Sequence, residues 1–254
     1  PVERAEMYRS MLAGRKVLIV LDNAASEEQV RPLLPGAATC RVVITSRVRL
    51  AGIEGAQPIE LDVFPTGEAV ELLARIAGDV RVGNEGAAAV DIAELCGGLP
   101  LAVRIAGARL VARPAWQLTH LAQKLADQFR RLDQLSAGDL AVRASLALSY
   151  RGLDEQPRRL FRLLGLFRTP DFPPWLASVI LECPPDEAMD YAETLVDAQL
   201  LVVSTADAAG QYRYRFHDLV RLFASECAAA EETGQSRDRA LVRGLGGWLA
   251  IAEQ

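Results

Sequence analysis

The chain has 254 residues, half of them hydrophobic, with 28 Lys and Arg against 33 Asp and Glu and a net charge of −5. That length supplies one large core or two to three small ones, and the negative balance excludes broad electrostatic adhesion to nucleic acid, which needs clustered cations to neutralise phosphates. No run reaches the roughly 18 to 20 apolar residues that cross a bilayer, so no membrane partner is expected; Cys40, Cys96, Cys183 and Cys227 lie too far apart for a C-x-x-C pair, which favours reduced thiols and a cytoplasmic location.

In chain order, residues 2–13 read as an amphipathic helix closed by Gly14. The apolar, β-branched run Val17–Leu21 then reads as a buried strand ending at Asp22. Ala24–Leu34 reads as a helix stopped by Pro35-Gly36, and Arg41–Thr45 as a second strand ending in Ser46-Arg47. Two strands joined through a helix make a βαβ unit whose polar strand ends share one edge, the edge at which open α/β sheets bind ligands. Ile59-Glu60-Leu61 reads as a third short strand, and Thr66 as the cap of a helix with Glu68 and Glu71 in its N-terminal turns.

From there to about Ala137 the pattern is helical, with interruptions at Gly83–Gly86, Gly97–Pro100 and Arg113-Pro114. A further series of helices follows: Leu140–Ser149, Pro157–Phe167, Pro174–Leu181 and Asp186–Ala198. Strands are expected at Leu200–Thr205 and Tyr212–His217 around the turn Asp207-Ala208-Ala209-Gly210, then a helix over Asp218–Ala230, which gives way at Thr233-Gly234-Gln235-Ser236 to one more helical segment. Helices followed by a hairpin describe a winged helix. The fold class is therefore α/β followed by mainly α, with expected divisions at 1–64, 65–138, 139–230 and 231–254.

Four segments carry candidate chemistry, each with a structural alternative. Asp22 at a strand end is a hard carboxylate of the kind that holds Mg²⁺ beside a nucleotide phosphate, or a cap for the following helix. Arg47 is a guanidinium that can meet a phosphate oxygen, helped by the Thr45 and Ser46 hydroxyls, or a surface arginine. Pro100 in Gly98-Leu99-Pro100-Leu101 presents its ring to an adenine face, or turns a helix–helix corner. His217, between Phe216 and Asp218, donates to a phosphate, or caps the next helix. A phosphate-binding loop is missing from the sequence: it needs glycines and a Lys, and the only lysines, Lys16 and Lys124, stand in no such loop. With Pro1 rather than Met at the start, the chain reads as part of a longer protein.

Taken in this order, Val17–Asp22, Thr45-Ser46-Arg47, Gly98-Leu99-Pro100-Leu101 and Phe216-His217-Asp218 resemble the Walker B, sensor-1, GLPL and MHD motifs of the NB-ARC region of STAND-type signalling ATPases. Such regions occur in apoptosome scaffolds, plant disease-resistance proteins and bacterial transcription regulators. Leu148-Ser149-Tyr150-Arg151-Gly152-Leu153 is similar to the stretch that opens the family's winged-helix domain. The Leu21-Asp22-Asn23-Ala24 and Phe216–Arg221 forms look most like actinomycete SARP-type antibiotic regulators.

The resemblance implies the C-terminal part of a P-loop NTPase sheet domain, then a helical and a winged-helix domain. It implies ATP/ADP and Mg²⁺ as cofactors of the intact protein, with Asp22 as the catalytic and metal-associated carboxylate and Thr45, Ser46, Arg47, Pro100 and His217 toward the nucleotide. It also implies a switch controlling self-association, contacts with N- and C-terminal domains outside this chain, and DNA contact through one of those domains. Asn23, where many relatives carry a second acid, cannot act as a general base, so hydrolysis is expected to be slow at most. Two other functions compete: an interaction module without nucleotide, and direct DNA binding by the winged helix through the basic stretch Tyr212-Arg213-Tyr214-Arg215.

Overall fold

The computed structural model describes residues 2–137, 140–204 and 211–253. The chain forms two compact units, Pro1–Glu60 together with Asp197–Gln199, and Leu61–Val196 together with Leu200–Gln254. It is mainly helical, with three two-stranded sheets among the described residues.

In the first unit, helix α1 (Val2–Leu12) is followed by strand β1 (Leu18–Ala24), a short helix α2 (Glu27–Val30), a 3-10 turn (Arg31–Leu33) and strand β2 (Arg41–Ser46). The strands are parallel, in register from Leu18↔Arg41 to Leu21↔Ile44, so the expected βαβ unit forms. The helix within it is shorter than the predicted Ala24–Leu34. Ala24 still belongs to the strand, and Ser26 starts α2 by accepting a hydrogen bond from Gln29 N, while the Gln29 amide oxygen accepts from Ala25 N. This reciprocal cap takes up helix-end donors that would otherwise lack partners, and Pro32 then permits only the tighter turn.

The core of this unit is Ala24, Val30 and Ile53, with Leu21, Leu34, Ile44 and Leu50 packed against it. The prediction of a fully buried β1 needs correction. Strand residues alternate between faces, and only one face is covered: Leu18 and Val20 remain 62% and 60% exposed. α1 likewise leaves Met7 and Met11 exposed and is tethered by Arg9, which donates to the Leu34 and Arg31 carbonyls at 3.2 and 3.3 Å. The third strand at 59–61 does not form. Ile59 and Leu61 are 84% and 93% exposed and, among the described residues, no strand pairs with them, so their β-branched, apolar character finds no ladder there to join.

The second unit begins with α3 (Thr66–Ala77), α4 (Asp79–Asn84), α5 (Gly86–Leu95), α6 (Pro100–Val111), α7 (Leu118–Ala126) and α8 (Arg131–Gln134). Thr66 is the first helical residue and not the cap; Pro65 takes that position, without a side-chain bond. The break at Gly78, at φ +102, is additional to the predicted interruptions. Leu73, Ile92, Ile105, Leu110, Leu121 and Leu125 are fully buried between these helices. Two charged side chains organise the corner between α6 and α7. Arg81 donates to the carbonyls of Leu110 (2.8 Å), Arg113 (3.2 Å) and Trp116, closing the C-terminal end of α6. The Glu85 carboxylate accepts from the backbone N–H of Leu118 and Thr119, both at 3.0 Å, and these bonds hold its pKa below the usual value.

A short ladder, β3 (Ser136–Ala137) with β4 (Leu140–Ala141), leads into α9 (Val142–Arg151), α10 (Glu155–Leu164), α11 (Trp175–Leu181) and α12 (Pro185–Asp197). Strands β5 (Val202–Ser204) and β6 (Arg213–Arg215) pair antiparallel, with Val203 opposite Tyr214, and Phe172 bridges to Tyr214 from the other side. The expected hairpin is present, though Thr205 and the turn Asp207–Gly210 lie outside the described residues. Helices α13 (Asp218–Glu231) and α14 (Gly234–Ala252) complete the chain.

Phe161 is fully buried against the rings of Tyr150, Phe216 and Phe223. The stretch expected as a basic wing is partly engaged: Tyr214 is buried and Arg213 donates to Asp171 at 2.7 Å, while Tyr212 and Arg215 are exposed. All four cysteines are free. Among the described residues, no helix is long and apolar enough to cross a membrane.

Candidate functional site

The six candidate residues fall into two clusters, one on each unit. In the first, the β1–β2 ladder slips between Leu21↔Ile44 and Ala24↔Ser46, so β1 carries one residue more than its partner there. The extra length is taken up at Asn23, whose φ of +55 is a left-handed conformation that Asn tolerates better than most residues. A bulge of this kind re-aims the side chains beside it. The sequence placed Asp22 at the strand terminus; it lies instead within β1, at this bulge.

Thr45 Oγ1 donates to Asp22 Oδ1 at 2.5 Å and accepts from Asn23 N at 2.8 Å, so one hydroxyl sets both residues. Ser46 Oγ donates to the Ala24 carbonyl at 2.8 Å and accepts from Val48 N at 3.1 Å. Arg47 Nε donates to Asn23 Oδ1 at 3.3 Å, while its terminal N–H groups have no hydrogen-bond partner among the described residues. Asp22, Thr45, Ser46 and Arg47 thus lie at the same end of the strand pair, with the exposed Asp22 carboxylate held by Thr45 and the Arg47 side chain held by Asn23. Asp22 does not cap the following helix, since Ser26 does.

The second cluster is built from the α5–α6 connection and the start of α13. Gly97 and Gly98 both adopt left-handed φ, +60 and +66, and their N–H groups close the end of α5 on Glu94 O (2.8 Å) and Ala93 O (3.0 Å). Such a reversal favours glycine. Pro100 then occupies the first turn of α6, where its missing N–H costs nothing, and Phe64 N donates to Gly98 O at 2.9 Å.

His217 is the N-cap of α13: its Nδ1 accepts from Leu219 N at 3.3 Å, and its Nε2 lies 2.7 Å from Gly97 O. A ring carrying its proton on Nε2 satisfies both contacts. The approach is tight enough that a Cβ on Gly97 would collide with the imidazole. His217 therefore meets the turn that precedes Pro100, and the capping role considered for His217 is real. Sequence reasoning missed Gly97 as the histidine's partner. The paired glycines signalled a left-handed turn, but nothing local pointed to a contact 120 residues away.

No protein-family model matches the chain. Among curated proteins it is 48% identical over 251 residues to regulatory protein AfsR of Streptomyces griseus and 47% identical over 254 residues to regulatory protein AfsR of Streptomyces coelicolor. Each match covers 98% of this chain and 25% of the relative. Apoptotic protease-activating factor 1 of Danio rerio is 27% identical over 234 residues, 88% of this chain and 18% of that protein.

The resemblance to the NB-ARC core of signalling ATPases is borne out by these relatives. Within that class the chain is homologous, over nearly its whole length, to the AfsR regulatory proteins. It spans about a quarter of the length of those relatives.

Proposed function

We propose that the chain is a nucleotide-responsive regulatory module of a longer transcription-regulatory protein, in which ATP and ADP favour different arrangements and thereby control self-association and activity. The observation that carries this reading is the Asp22–Thr45 pair across adjacent parallel strands, with Arg47 just past the end of β2 and bonded to Asn23. It sets a metal-type carboxylate and an unpaired guanidinium fork at the edge where α/β sheets take ligands.

In this reading Arg47 meets the γ-phosphate, Thr45 and Ser46 fix the strand ends, Pro100 lies against the adenine, and His217 turns from Gly97 O toward a phosphate. The proposed divisions are a partial nucleotide-binding domain over 1–64, a helical domain over 65–138, a winged helix over 139–230 and the start of a further helical domain over 231–254. The location is taken to be cytoplasmic, with DNA contacted through a different domain.

Asp22 offers one hard oxygen donor beside a hydroxyl, and among the described residues no group of three or more His, Cys, Asp or Glu gathers to cage a metal. Mg²⁺ binds through one or two carboxylates plus nucleotide phosphates and waters, so this donor set fits a magnesium ion that arrives with the nucleotide. When bound, it supplies charge neutralisation at the phosphates. Asn23, an amide engaged by Arg47, is no proton acceptor, which makes any hydrolysis a slow timer.

A switch of this kind works only through differential affinity. A charge-assisted contact contributes roughly 1.5 to 3 kcal/mol, so losing the His217 contact would shift the ADP-held state by about one to two orders of magnitude.

Calorimetry with ADP and with ATP, run on this chain and on a version extended upstream through a phosphate-binding loop, tests the proposal. Tight binding to the extended chain, weakened by Asp22→Ala and Arg47→Ala more for ATP than for ADP, is the expected result. Binding to neither would sink it and leave a protein-interaction module.

A further inference from the structure

Trp116, at the corner between α6 and α7, is surrounded by cations. The Arg113 guanidinium lies 4.7 Å from the ring centroid, the Lys124 ammonium 5.6 Å and the Arg109 guanidinium 5.9 Å. Elsewhere in this unit several arginines meet carboxylates, as Arg143, Arg162, Arg213 and Arg243 do. At this corner, by contrast, no carboxylate among the described residues lies within 4 Å of Arg109, Arg113 or Lys124. Glu85, on the same corner, is occupied by the first N–H groups of α7.

Burial and the charge of Arg113 together lower the pKa of Arg109, as expected where like charges are held close without a counter-ion. Stacking on an indole fixes the plane of a guanidinium and leaves its N–H edge outward. The Arg113 fork is then pre-organised for a carboxylate, whereas Arg109 already donates to the Gln134 carbonyl.

The same unit carries the complement. On α12, Asp186, Asp190 and Glu193 fall at i, i+4 and i+7, all exposed, while Ala188, Ala192 and Leu195 bury the other side of the helix. None of the three acids has a cation within 4 Å among the described residues, and like charges at this spacing repel. Both patches thus carry uncompensated charge, of opposite sign, and no ion pair joins them within the chain. Duplex DNA is a poorer fit to the basic patch, because a phosphate footprint draws on more cations than these and the chain is acidic overall.

We infer that the Trp116 surface, through Arg113 and Lys124, is one half of a head-to-tail contact between copies of this chain, and that the Asp186–Asp190–Glu193 stripe of α12 is the other half. Two different surfaces meeting in this way make a heterologous contact, which closes into a ring or continues as a filament. The inference deepens the self-association part of the proposed function and does not depend on nucleotide binding.

The test is sedimentation velocity on the 254-residue chain without nucleotide, over a range of concentrations at low and high salt. The wild type should associate at low salt and dissociate as salt rises. Arg113→Glu/Lys124→Glu, and separately Asp186→Lys/Asp190→Lys, should each weaken association roughly tenfold or more; an equimolar mixture of the two should associate again, since each supplies the surface the other lacks. The milder Arg113→Gln/Lys124→Gln pair should show a smaller loss, and circular dichroism confirms that each variant is folded.

A wild type that stays monomeric would overturn the inference, as would association indifferent to both reversals or a mixture that does not recover. A salt-sensitive shift of duplex DNA abolished by Arg113→Glu/Lys124→Glu would overturn it in favour of nucleic acid. Failure of calorimetric nucleotide binding would leave the charge-swap result untouched.

Discussion

His217 uses both ring nitrogens, one on the first turn of α13 and one on the carbonyl of Gly97. The pair makes a specific prediction because each residue constrains the other. His217→Ala removes an N-cap and should cost about 0.5 to 2 kcal/mol. Gly97→Ala adds a Cβ at a left-handed φ and drives the imidazole away, for about 1 to 3 kcal/mol. The double variant should lose less than the sum, since the second change removes a contact the first has already broken. A double-mutant cycle by urea unfolding measures it, and strict additivity would mean that the two residues do not support one another.

At the scale of elements, three helices and the head of a fourth converge on Arg162, which is 4% exposed. Its guanidinium donates to Glu155 on α10 itself (2.8 Å), to the Tyr150 hydroxyl at the end of α9 (2.9 Å), and to Glu231 (3.0 Å) and Glu232 (2.8 Å) at the end of α13. Glu232 in turn accepts from Ser236 Oγ in the first turn of α14 at 2.7 Å. Removing Arg162 strands Glu232, which is buried, while Glu155 and Glu231 stay open to water, so Arg162→Met should destabilise by about 3 kcal/mol, read from the denaturant midpoint. A cost below 1 kcal/mol would show that the carboxylates relax into solvent.

The cap on α7 makes a pH prediction. Backbone N–H donors hold the Glu85 pKa below its unfolded value. Its stabilising contribution is therefore complete above the ordinary carboxylate range and is lost as pH falls through the lowered value. Wild type and Glu85→Gln should differ at neutral pH and converge in acid; a gap that stays constant across that range would contradict the assignment.

The molecule as a whole is unevenly cored. The first unit buries only a small apolar group centred on Ala24, Val30 and Ile53, and leaves one face of its strand pair in water. The second holds the large layers around Leu73, Ile92, Ile105 and Phe161. Opening free energies follow buried apolar contact, so backbone amides of β1 and β2 should exchange hydrogen faster than those of α5, α6 and α13. Equal protection in both would mean that the two units unfold as one cooperative block.

Much of this organisation was legible in order along the chain, because it rests on local chemistry. The β-branched runs gave β1 and β2, Pro100 marked the start of α6, and the break at Thr233-Gly234-Gln235-Ser236 separated α13 from α14, where the Thr233 side chain accepts from Ser236 N. The order and spacing of the four motifs carried the family resemblance, which needs residue identities and no coordinates. The sequence alone did not exclude a strand at 59–61, since pairing needs a neighbour and not only propensity. It could not locate the bulge at Asn23, which arises from the register between two strands. The partnership of His217 with Gly97, the convergence of Glu155, Glu231 and Glu232 on Arg162, and the cations on Trp116 all join residues distant in sequence or on different elements. Only the packing of helices decides such contacts, because it alone determines which polar groups leave water together.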